Sequence, residues 1–151
     1  MFDALVALHN VLRWVVVAAA VIALVNAFAG WFGNRPWTAR DRRLGAFFAI
    51  SMDVQVALGL ILWVRFVLTL PGGFEAAMGE GALRFFALEH LVGMIVALVL
   101  IHAGQILGRR AASDRGQFRL NALFFLVATL VILAAIPWPG LRYGRSLWPV
   151  L

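Results

Sequence analysis

The sequence predicts an all-α integral membrane protein: a four-helix bundle with short loops and both ends outside. Three observations carry that expectation. Of 151 residues, 64% are hydrophobic and only 13% charged, against roughly half and about a quarter in soluble domains. Four apolar stretches, about 4–31, 44–70, 85–108 and 120–136, each suit a hydrocarbon layer of roughly 30 Å crossed at about 1.5 Å per residue. The arginines gather in the connections, where lipid headgroups and topology account for them. The chain is therefore read as one membrane domain over 1–151, too short for two sizeable ones. Its net charge of +6 needs no nucleic acid to explain it. Cysteine is absent, which excludes disulfides, thiolate metal sites and cysteine nucleophiles.

The first span, about 4–31, lacks a basic leader and is too long for a signal-peptide core, so it reads as a retained span. Ala18, Ala19, Ala20, Ala23 and Ala27 permit close helix approach. His9 and Arg13 stand four apart and share a face. The loop GNRPWTARDRR (33–43) follows, in which Pro36 breaks the helix and Thr38 or Asp41 is placed to cap the next. The second span, about 44–70, carries Asp53 and Gln55 within it and Trp63 and Arg65 near its far end. The glycine-rich, acidic PGGFEAAMGEG (71–81) predicts a turn or short surface loop.

The third span, about 85–108, is the most informative. Between Arg84 and the Arg109–Arg110 pair it holds Glu89, His90, His102 and Gln105, and polar groups at membrane depth mark a function or a buried partnership. A second arginine-rich loop, RRAASDRGQFR (109–119), leads to the fourth span, about 120–136, which is nearly free of polar groups. That predicts the span that faces lipid or docks other membrane subunits. Pro137 and Pro139 stop it, and Trp138, Tyr143 and Trp148 suit an aromatic belt at headgroup level.

Orientation follows from the arginines. Loops 32–43 and 108–119 hold Arg35, Arg40, Arg42, Arg43, Arg109, Arg110, Arg115 and Arg119, while the opposite side holds Arg84, Arg142 and Arg145. The positive-inside rule places both short loops in the cytoplasm and both termini outside.

With that orientation His9 and His90 enter from the same side, each about 8–9 Å below the outer end of its helix. Two imidazoles at matched depth suit the axial positions of a flat metal cofactor such as haem. The competing reading has both histidines hydrogen-bonded within the bundle. Gly93, Ala97 and Gly104 stay within about 60° of the His90 direction and leave room for a macrocycle or for a neighbouring helix. Arg84, Arg142 and Arg145 are candidate partners for haem propionates, because guanidinium binds carboxylate bidentately. His102, about 18 Å further along the axis, cannot share a metal with His90. Asp53 and Gln55 lie at its depth, and a His102–Asp53 pair would serve proton transfer, a quinone headgroup or helix association. Arg13 and Glu89 fall at neighbouring depths and are expected to pair. No nucleotide-binding or hydrolase motif occurs, and no catalytic residue is assigned.

LHNVLRW (8–14), SMDVQ (51–55), ALEHLVGM (87–94), LIHAGQ (100–105) and IPWPGLRYGR (136–145) together resemble a group of short four-span bacterial membrane proteins loosely labelled cytochrome b-like. The likeness runs over nearly the whole chain. It implies a multi-pass protein of the bacterial cytoplasmic membrane with a b-type haem, His9 and His90 falling where ligands are expected. Two-haem bundles of the b561 type use two histidine pairs; with three histidines this chain supplies at most one. The expected function is thus a small electron-transfer component with one haem near the outer side and a quinol as its candidate donor. The alternative is a cofactor-free accessory subunit of a larger respiratory or photosynthetic complex.

Overall fold

The computed structural model describes residues 2–148, and among these no strand occurs. The helices are α1 (Phe2–Phe32), α2 (Ala39–Leu68), α3 (Gly73–Gly79), α4 (Gly81–Arg84), α5 (His90–Arg109) and α6 (Asp114–Ala135), and a π-helical turn at Phe85–Glu89 joins α4 to α5. Counting Gly81–Arg109 as one continuous helix, four are long and apolar enough to cross a membrane.

Two helices begin five or six residues before the apolar pattern, because capping rather than hydrophobicity sets their start. Thr38 is extended at the head of α2, and the Asp41 carboxylate accepts from its N–H at 2.8 Å and from its hydroxyl. Ser113 starts α6, its hydroxyl accepting from the Gly116 N–H at 3.1 Å. Asp41 also accepts from Asn26 Nδ2 at 2.9 Å and faces Arg35 at 3.6 Å, which ties α1 to α2. It is 2% exposed. Asp41→Ala therefore removes a cap and strands three donors, and should lower stability by about 2 kcal/mol in a thermal or denaturant melt. A change below about 0.5 kcal/mol would show that water replaces the carboxylate without penalty.

Residues 71–81 are not a plain loop. Gly72 and Gly73 take positive φ (72° and 73°), and the helix formers that follow make α3, whose Ala77 is fully buried. The glycines supply the left-handed corner that a side chain resists.

α1 packs against α2 and α6, and α5 packs against the same two, so α1 and α5 stand diagonally. Toward the Arg-rich loops the interior is tight: Phe48 and Phe125 cross edge to face at 5.4 Å, walled by Ala19, Ala20, Ala23, Ala97, Ile101 and Ala128. A Cβ on Gly104 would meet the Phe124 Cβ at 2.6 Å, and one on Gly93 the Ala135 Cβ at 3.1 Å. The small stripe of α5 thus serves helix approach, and α6 fills the space a macrocycle would need along it.

α6 corrects another expectation. Of its apolar stretch 39% is buried inside the protein, against 28–33% in the other spans. Its few polar groups within the apolar stretch, Asn121 and Thr129, are buried together with Phe118, Ala122, Phe125, Ala128 and Ile132, so its apolar character reflects packing against α1 and α5. The tail also turns inward. Trp138 donates to the Leu133 carbonyl at 2.7 Å, Tyr143 stacks on Phe85 at 3.7 Å, and Trp148 stacks on Trp14 at 5.7 Å. These aromatics lay the tail against α1, the π-turn and the end of α6, although Trp148 keeps 65% of its surface.

Candidate functional site

A cavity of about 440 Å³ is lined from α1, α2, α5 and α6 and from Pro137 and Arg145 of the tail. α1 brings His9 and Arg13, one turn apart on one face; α2 brings Met52, Gln55 and Gly59; α5 brings His90 and Met94; Ile132 and Ile136 close it from α6 and just beyond.

The two imidazoles meet across the diagonal, with ring centroids 6.4 Å apart and planes at 69°. What aims His90 is the π-turn just before it. A π-turn inserts an extra residue and is found mostly at functional positions; here the His90 N–H reaches back to the Phe85 carbonyl. Within the turn the Ala87 carbonyl accepts from the Trp63 indole at 2.8 Å, which ties it to α2. His90 Nδ1 lies 2.8 Å from the Ala135 carbonyl oxygen. A carbonyl only accepts, so Nδ1 carries the proton and the lone pair resides on Nε2.

On the other side, Gln55 Nε2 donates to the His9 carbonyl at 3.0 Å and sits 3.3 Å from His9 Nε2. Gly59 keeps this corner open, since a Cβ there would stand 3.3 Å from His9 Cε1. His9 Nδ1, Gln55 Oε1 and Arg13 Nε are buried without a hydrogen-bond partner. Buried polar atoms are nearly always satisfied, so three orphans around one cavity mark an incomplete set of contacts.

The arginines divide differently from the sequence expectation. Arg145 lines the cavity, its guanidinium 4.4 Å from the Phe86 ring, and Arg65 lines it too, 3.8 Å from the Phe2 ring. Arg84 does not; it holds Glu89 at 2.8 Å on the surface. Arg142 lies against Gly81, outside the cavity wall. The Arg13–Glu89 pair does not form, because Glu89 projects outward beside inward-facing His90 while Arg13 bonds the Leu147 carbonyl.

Asp53 and Gln55 part company as well. Two residues on a helix are about 200° apart, so Gln55 turns into the cavity while Asp53 faces α5 at the rim. There Asp53 Oδ1 and His102 Nε2 lie 2.9 Å apart, each side chain 45% exposed. Gln105, one turn further, donates to the Gly45 carbonyl at 2.8 Å and also ties α5 to α2. An Asp53→Ala/His102→Ala double-mutant cycle should give a coupling of about 0.6 kcal/mol, the average for polar pairs between membrane helices. Zero coupling would show that the pair holds nothing together.

Gly59, Trp63, Arg65 and the π-turn were not assigned to the site from sequence. A signal for two of them existed: Gly59 and Trp63 lie four apart, and with Gln55 they form a single stripe. No protein-family model, curated protein or solved structure matches this chain.

Proposed function

We propose that this chain is a small membrane electron carrier, a four-helix bundle holding one b-type haem between His9 and His90. The observation that carries the reading is the pair of facing imidazoles in a cavity lined from all four spans. Two imidazoles whose ring centres lie this close, 6.4 Å apart, would both be within reach of one metal ion. Two protein ligands are what a metal already held by four macrocycle nitrogens requires.

The chain's own groups then have distinct tasks. The Ala135 carbonyl fixes the His90 ring and its tautomer, the outer contact that histidine ligands usually have. Gln55 would anchor the His9 backbone through its carbonyl, its amide turning from His9 Nε2 where that nitrogen ligates. Apolar walls from Met52, Val56, Ile132 and Ile136 keep water out, which sets the local polarity and so the potential. A b-type haem held by His9 and His90 would supply one-electron transfer. The arginine bias supports placing the cavity on the outer side of a bacterial cytoplasmic membrane, where a quinol is a suitable donor. With three histidines in the chain, onward transfer falls to a partner subunit.

A reduced-minus-oxidised spectrum of the purified chain tests this. Soret and α-band changes of a six-coordinate b-type haem are expected. An optically silent chain that copurifies with a larger respiratory or photosynthetic complex would leave the accessory-subunit reading instead.

A further inference from the structure

Arg13 poses a problem that haem ligation does not solve. It is 8% exposed, three turns into a membrane-spanning helix, where a charge is costly unless compensated. Its guanidinium has five donors. One goes to the Leu147 carbonyl, Nε has no partner, and the nearest aromatic face is Trp14 at 5.4 Å. No described carboxylate forms an ion pair with it: Glu89 is taken by Arg84, Asp41 by Arg35 and Asp53 by His102. Asp3 sits on the cavity wall, but so do Arg65 and Arg145. The wall therefore carries three guanidinium groups against one carboxylate, set among neutral polar side chains such as Asn10, Gln55 and Thr69 and many apolar ones.

We infer that the molecule bound in this cavity carries a carboxylate and that Arg13 receives it. A planar guanidinium matches a carboxylate bidentately and neutralises it one for one. Arg13 stands three helical turns from the start of α1, on the wall of a cavity rich in apolar side chains, which suits a carboxylate that rides on an apolar body. This rests on the cavity being the ligand site proposed above. It suits haem, whose propionates are carboxylates, yet it does not depend on iron.

The test separates the two readings by removing iron. Metal-free protoporphyrin IX and its dimethyl ester are titrated into the purified chain by fluorescence. A second pair, oleate and oleyl alcohol, is compared by the shift in melting temperature. Wild type should prefer the diacid porphyrin over the diester by about tenfold or more, as a charge-assisted hydrogen bond implies. Arg13→Gln should bring the two within about twofold by weakening only the diacid, and Arg13→Lys, which keeps the charge, should retain part of the preference. If neither porphyrin binds but oleate outdoes oleyl alcohol only when Arg13 is present, the haem reading falls and the carboxylate stands. If haem itself gives a Soret band while Arg13→Gln leaves both preferences unchanged, the inference about Arg13 is overturned and ligation survives. Equal binding of acid and neutral partner in both pairs by wild type overturns it too.

Discussion

Replacing His90 with alanine should abolish haem binding, a loss of more than about a hundredfold, given that mutating mere outer partners of a metal ligand already costs 10–100-fold. The chain should stay folded. The Ala135 carbonyl loses its donor, which costs about 1–3 kcal/mol, but α5 and α6 still meet along their small-residue faces. His9→Ala should lose the same spectrum with a smaller structural effect, because its ring leaves Nδ1 unpartnered already. His102→Ala is the control. Its ring bonds Asp53 on the rim, not the cavity wall, so the Soret band should be unchanged. A band that survives in both cavity variants, or disappears in the control, would remove His9 and His90 as ligands.

Gly104→Leu should be the most damaging structural change. Even the first carbon of a new side chain would stand 2.6 Å from the Phe124 Cβ, an atom fixed to the α6 backbone and unable to swing away. α5 and α6 must separate, and Phe125, packed on Phe48 at 5.4 Å, loses its seat. Apolar burial offers little compensation, since lipid is as apolar as the interior and helix association in membranes depends on close packing. Overpacking of this kind costs about 3 kcal/mol, read as a lower unfolding midpoint in mixed detergent. Gly79→Leu, with open space around its Cβ position, should be nearly silent. Equal effects of the two would show that helix propensity, not contact, governs α5.

The same contrast shows how far the sequence could be read. The four spans were legible because each must satisfy its backbone internally and offer apolar surface along its whole length. The His102–Asp53 pair was legible because helical rise alone put both at one depth. Glu89 was misread, since depth says nothing about azimuth: it sits beside His90 in sequence yet projects to the surface and Arg84. α3 was read as loop because its glycines drew attention away from the helix formers between them.

Composition and spacing alone thus determined four apolar helices, the depth of each polar group and two histidines entering from one end. Tertiary structure decided which of those groups share a cavity. The diagonal arrangement of α1 and α5 and the π-turn before His90 set the azimuth of each side chain. Azimuth depends on which faces pack together, and a helix's own residues do not encode its neighbours. That is why Arg13, expected to meet Glu89, is instead a buried cation on the wall of the histidine cavity.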